Sequence, residues 1–152
     1  MNKQGFTLIE LMIVIGIVLF LIKIMAPQYT KYYDRLRQTE VSINLSALHA
    51  AEMAYHIEHG QYTTDLTELK WKPNGYHEDP KKSSSFYTYG FIAPSQPGAI
   101  TFYPGTSQAP QALLTNTFAE GNTFSAAAVA QHAEDTVEKW VVTHDGTITQ
   151  DQ

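Results

Sequence analysis

Hydrophobic positions are distributed along this chain in two unlike ways. After a short polar start, Met1-Asn2-Lys3-Gln4-Gly5, apolar residues run almost unbroken from Phe6 to Ala26 and stop at Pro27. A helix rising about 1.5 Å per residue over that run spans roughly 30 Å, the thickness of a bilayer core. Beyond Pro27 the pattern turns periodic. Leu36, Ile43, Ala47, Ala50, Ala54 and Ile57 recur at spacings of three, four or seven, which predicts an amphipathic helix continuing to about His59 with Gly60 as its cap.

The remainder alternates turn formers with strand-like runs. Residues 72–85, with Pro73-Asn74-Gly75 and Asp79-Pro80, predict a loop. Phe86–Ile92 and Ala99–Tyr103 carry the aromatic and β-branched content of strands, and residues 104–122 follow as a long loop. Thr123–Gln131 is ambiguous, because its alanine-rich centre favours helix by propensity. Trp140–Thr149 predicts a hairpin turning at Asp145-Gly146.

Composition changes this picture only at the edges. The net charge is −5 and the basic residues are scattered, which argues against a nucleic-acid footprint as the primary role. The chain has no cysteine, so a thiol nucleophile, a Cys-ligated metal and any disulfide are excluded. Lys3 on the short side of the apolar run predicts a cytoplasmic N-terminus. The run is longer than a secretory signal's apolar core, and Met25-Ala26-Pro27 is a poor cleavage site, so a retained membrane helix is expected. Glu10 is the anomaly within it. An acid there costs up to about 3 kcal/mol at mid-membrane and less near an end. Either it lies close enough to the interface to stay wet, or it has a cationic partner that the chain does not supply nearby.

Gly5-Phe6-Thr7-Leu8-Ile9-Glu10, after a short basic leader and before an apolar run ending in proline, resembles the class III signal of type IV pilins and type II secretion pseudopilins. The resemblance implies cleavage by a prepilin peptidase after Gly5, N-methylation of Phe6, and pairing of Glu10 with the N-terminal amine of a neighbouring subunit. Pro27-Gln28-Tyr29 resembles the family's step at the membrane exit, where Pro27 would kink the helix. The match departs from the family at Leu19, where pilins commonly have glycine, and at Ile22 and Lys23, where small residues are usual; Lys23 is expected to snorkel toward the periplasmic interface. Gly60-Gln61-Tyr62 to Leu69 resembles the segment leaving the pilin helix. The Trp140 strand with its Asp-Gly turn resembles the pilin ending. The family's similar Phe-x-Ala-x-Ala stretch favours a strand at Thr123–Gln131.

The expected architecture is therefore α+β: a long N-terminal helix packed on an antiparallel sheet of about four strands. The expected domains are a leader at 1–5, a transmembrane and filament-core helix at 6–27, its amphipathic continuation at 28–59, and a globular head at 60–152. The resemblance implies a subunit anchored in the inner membrane, head in the periplasm, that polymerises into an extracellular type IV pilus for adhesion, twitching motility or DNA uptake. Its partners would be further copies of itself, the prepilin peptidase, the inner-membrane assembly platform and minor pilins. A type II secretion pseudopilin is the first alternative, disfavoured because the Pro-Trp-Gly segment and acid-rich terminal loop of the calcium-binding pseudopilins are missing. An uncut bitopic protein with a periplasmic binding domain is the second.

Other chemistry is weakly signalled. His49, Glu52, His56 and His59 lie along one helical face and could ligate zinc or copper, but without a His-Glu-x-x-His pattern a solvated or subunit-facing stripe is the simpler reading. Phe6, Phe20, Tyr29, Tyr32 and Tyr33 form an aromatic file whose ordinary explanation is packing instead of charge conduction. No nucleophile elbow or phosphate-binding loop is present, so neither an enzyme nor a cofactor is expected.

Overall fold

The computed structural model describes residues 6–94, 96–132 and 136–151, with the side chains of residues 26–31 set aside. The first element is a helix, α1 (Leu8–His59), followed by six strands: β1 (Thr88–Gly90), β2 (Phe102–Tyr103), β3 (Phe118–Glu120), β4 (Thr123–Gln131), β5 (Val137–Thr143) and β6 (Ile148–Asp151). The fold is α+β, as expected. The chain divides into two compact units, one ending at Arg37 and one running from Gln38.

In the first unit the Leu8–Met25 part of α1 is apolar apart from Glu10 near its start and Lys23 near its end. Leu8–Met25 has a mean hydropathy of 2.7 and none of it is buried. A helix hydrophobic all round has no preferred face to bury in a small domain and suits a lipid surround. The backbone remains helical through Pro27.

In the second unit the rest of α1 packs on the sheet, but not through the stripe expected from periodicity. The covered face is Val41, Asn44, Leu45, Leu48 and Glu52, at helical spacing. Ile43, Ala47, Ala50, Ala54 and Ile57 are exposed, as is Leu36 in the first unit. This stretch carries two apolar stripes, and the sheet takes the one with the bulkier aliphatics. Asn44 and Glu52 interrupt the covered stripe and hide it from a hydrophobicity count. Polar residues also anchor it: the Glu40 carboxylate accepts from the Phe86 amide at 2.8 Å and the Tyr89 hydroxyl at 3.2 Å, and the Asn44 side chain accepts from the Asn74 amide at 2.8 Å. Such bonds fix the long loop between helix and sheet, whose backbone groups need partners. Gly60 ends the helix at φ 73°, its amide donating to the His56 carbonyl at 2.8 Å.

The sheet is antiparallel with spatial order β2-β1-β4-β5-β6, and β3 pairs with the early part of β4 while β1 pairs with its later part. Two expectations are corrected. Residues 104–122 are not all loop, because Gly121, at φ 52°, and Asn122 turn Phe118–Glu120 back onto β4. The runs 86–92 and 99–103 shorten to three and two paired residues. At Gly90 (φ 137°) a side chain would collide with the Thr101 carbonyl, so the close approach of the two chains there requires glycine. β4 is the central strand, and its ambiguity now has a cause. Ala126, Ala128 and Ala130 enter one hydrophobic cluster with Val41, Leu45 and Leu48, while Ala127 and Val129 enter a second cluster with Leu114 and Ala109. A strand covered on both faces loses the polar alternation that marks strands in sequence. The hairpin at Asp145-Gly146 forms as expected. Asp145 accepts from the Thr143 hydroxyl at 2.6 Å and the Thr147 amide at 3.0 Å, and these bonds lower its pKa to about 2.

Candidate assembly site

The start of α1 shows why the acidic residue in the apolar run is tolerated locally. Thr7 precedes the first helical residue and its hydroxyl accepts from the Glu10 amide at 3.3 Å, while the Glu10 carboxylate accepts from the Thr7 amide at 3.5 Å and the Thr7 hydroxyl at 3.4 Å. The Thr7 carbonyl takes the amide of Leu11 at 3.2 Å. This is a capping box, Thr-x-x-Glu, in which each residue satisfies a donor the other leaves open. The long distances make it a weak one. A carboxylate in the first turn also faces the positive end of the helix dipole. The Thr7–Glu10 spacing was legible in the sequence and is the signal that the Glu10 reading lacked: besides a wet interface or a neighbour's cation, Glu10 has a role within its own helix.

Around this start the surface is open. Phe6 is 71% exposed and Glu10 is exposed. Gly5, the expected cleavage position, lies outside the described residues, as does the side chain of Pro27.

The row His49, Glu52, His56 and His59 does not converge. His49 Nε2 bonds the His144 carbonyl at 3.1 Å, and its ring lies 5.8 Å from that of Phe124. His56 stacks on Tyr62 at 4.4 Å, with Nε2 bonded to the Asn122 side chain at 3.3 Å. His59 stacks on Tyr55 at 4.0 Å and bonds its carbonyl. Glu52 turns the other way, into the core: one oxygen accepts from the Thr63 amide at 3.3 Å and the other has no partner among the described residues. Burial raises its pKa to about 8, only partly opposed by the Thr63 bond, so at neutral pH it is held largely as the neutral acid. Among the described residues no three His, Asp or Glu side chains gather as a metal would need. In the aromatic file, Tyr32 and Tyr33 meet edge-on at 6.1 Å, and Phe20 stands exposed.

Comparison with known proteins bears on the same end of the chain. Residues 1–22 match the family described as the prokaryotic N-terminal methylation motif. The chain is similar to the type IV major pilin protein PilA of Myxococcus xanthus, 39% identical over 72 residues, which are 47% of this chain and 33% of PilA. It is 37% identical over 65 residues to a fimbrial protein of Neisseria meningitidis serogroup A, covering 43% of this chain and 38% of that one. It is 30% identical over 70 residues to the competence protein ComGC of Bacillus subtilis, covering 46% of this chain and 71% of ComGC. The chain thus spans about a third of PilA and of this fimbrial protein, but most of ComGC. None of the three is named as an enzyme. With the methylation motif matched over residues 1–22, and a relative matched over most of its length, the chain belongs to the type IV pilin family.

Proposed function

We propose that this chain is a structural subunit of a type IV pilus, cut after Gly5, methylated on Phe6, held in the inner membrane by α1 and then polymerised with further copies of itself. The observation that carries the reading is the Leu8–Met25 stretch, wholly uncovered and apolar save for one carboxylate in its first turn and Lys23 near its far end. Lipid covers such a helix in the precursor, and the same segments of neighbouring subunits cover it in a filament. The exposed stripe Ile43, Ala47, Ala50, Ala54 and Ile57 supports this reading, since its alternating spacing of four and three is that of a helix–helix seam. Glu10 keeps a local partner in the membrane and exchanges it for a neighbour's Phe6 ammonium, which exists only after cleavage. The prepilin peptidase, the inner-membrane platform and minor pilins are the partners this route requires, and adhesion, twitching motility or DNA uptake are the roles it serves. Pro27 is the residue at which α1 would kink.

The test is the mass of the mature N-terminal peptide. A peptide starting at Phe6 and heavier by a methyl group, about 14 Da, is expected; an uncut Met1 terminus would instead mark a bitopic membrane protein. A second reading is a subunit of a competence or secretion pseudopilus, of which the competence form is favoured by the match over 71% of the competence protein ComGC. Deletion of the gene would then abolish transformation or exoprotein release while surface pili persist.

A further inference from the structure

The second unit holds a cavity of about 520 Å³ on the side of the sheet edge formed by β2, inside the usual range for small-ligand pockets. Its apolar walls include Phe102, Tyr76, Pro104 and Pro110; the half-buried Tyr76 ring packs at 4.7 Å against Tyr103 and is thereby held in place. The polar groups beside these walls differ in kind. Glu78 supplies carboxylate oxygens, which only accept, and Gln108 supplies an amide with both roles. His77 Nδ1 accepts from the Asp79 amide at 3.0 Å, which leaves Nε2 to donate. The far wall is built in advance: Thr106 and Ser107 amides donate to the Ser85 and Phe86 carbonyls at 2.8 and 3.0 Å, and Gln108 is held at φ 57°. At Gly105 an added Cβ would meet the Phe86 and Tyr87 carbonyls, so this wall reaches its position only with glycine there.

The lining selects among ligand classes. No lysine or arginine lines it among the described residues, and Lys81 and Lys82 follow Pro80 without entering it, so a phosphate or carboxylate ligand lacks a counter-charge and meets Glu78 instead. A proline-rich peptide suits aromatic walls but offers few N–H donors to Glu78 and Gln108, so it uses little of the polar rim. A ring with an apolar face and hydroxyls at its edge satisfies all the groups at once, because each hydroxyl both donates and accepts. We infer that this cavity is a binding site for a short neutral carbohydrate, stacked on the Tyr76 and Phe102 side and hydrogen-bonded at its rim by Glu78, His77 and Gln108. The site lies wholly within the second unit, so it stands whether or not the chain assembles into filaments.

The experiment is calorimetric titration of the full chain, solubilised in a detergent without sugar headgroups, with lactose, cellobiose and chitobiose to about 10 mM. Sialyllactose and decaproline serve as the anionic and peptide probes. Binding of at least one neutral disaccharide is expected, weakened about tenfold or more by Glu78→Ala and measurably by His77→Ala, with unchanged melting temperatures because both side chains are exposed. No binding by any neutral disaccharide overturns the inference. So does preference for sialyllactose or decaproline, or a neutral sugar that binds both variants as tightly as the native chain.

Discussion

The two stretches of α1 differ both in how apolar they are and in what covers their apolar residues. Leu8–Met25 is apolar save for Glu10 and Lys23 and uncovered on every side, so what surrounds it must come from outside the chain. Residues 38–59 bury one stripe against their own sheet and leave a second, smaller one exposed. Burial within the chain selects for volume: Leu45, Leu48 and Val41 fill space between fixed neighbours. An uncovered stripe of alanines with isoleucine at its ends selects for close approach of another helix. The lesson is that hydrophobicity alone does not locate a core, because a segment destined for assembly looks apolar too.

The strongest way to break the comparison is at Glu10, the one acid in the apolar stretch. Glu10→Ala is expected to leave membrane insertion and cleavage intact and to remove surface filaments almost entirely, read by shearing cells and blotting the filament and membrane fractions. Wild-type filament yield from that variant would sink the pairing of Glu10 with a neighbour's amine. The uncharged, similarly shaped Glu10→Gln should fail like the alanine variant, since a neutral amide lacks the charge for an ammonium partner.

A paired substitution sharpens the contrast between the two stripes. Leu48→Ala opens a cavity in the main cluster and is expected to cost about 2–5 kcal/mol in the detergent-solubilised chain. Ile57→Ala, at a residue 80% exposed, should cost no more than about 0.5 kcal/mol. Filament yield should rank the other way if the exposed stripe is a seam, with Ile57→Ala losing filaments while its monomer stays folded. Equal thermal losses in both variants would show that the exposed stripe is not exposed in solution.

Glu52 offers a pH test of the same buried face. Its folded pKa of about 8 lies above the ordinary 4.5, so the folded state keeps a proton that the unfolded state releases. Stability should therefore fall as pH rises from near 4.5 through 8, by on the order of 5 kcal/mol at most. The groups around it are Glu68, which accepts from Thr63 and Tyr55, and His56 one turn on. Glu52→Gln, neutral at every pH, should flatten this decline in melting temperature between pH 5 and 9. A slope unchanged by the substitution would mean that Glu52 is ionised and paired in solution.

Much of this was legible in the sequence where the pattern had a single cause. The apolar run, the Gly60 cap and the Asp145-Gly146 hairpin each follow from local chemistry. The family resemblance supplied the strand at Thr123–Gln131, which its alanines alone left undecided because both of its faces are covered. The buried helix face was misread for the opposite reason: Asn44 and Glu52 sit in the core with partners brought from Asn74 and Thr63, which only the folded chain brings near. β3 was missed because a strand of three residues has too few positions for alternation to register. At the candidate site the sequence drew attention to Glu10, but the bond between Thr7 and Glu10 was not read, although their spacing announces a capping box.

That bond gives the smallest effect and the finest discrimination. Glu10 has two jobs on this account: it caps its own helix, and it pairs with a neighbour after cleavage. Thr7→Ala removes the hydroxyl half of the cap and keeps the carboxylate. It should destabilise the first turn by about 1 kcal/mol, so that the Glu10 and Leu11 amides exchange with solvent several-fold faster in micelles, with Thr7→Ser restoring protection. Filaments should still form, because the charge that meets the neighbouring amine is untouched. If Thr7→Ala instead removed filaments as completely as Glu10→Ala, with cleavage normal in both, the acid would be acting through the cap. The helix start, not the ion pair, would then be what assembly requires.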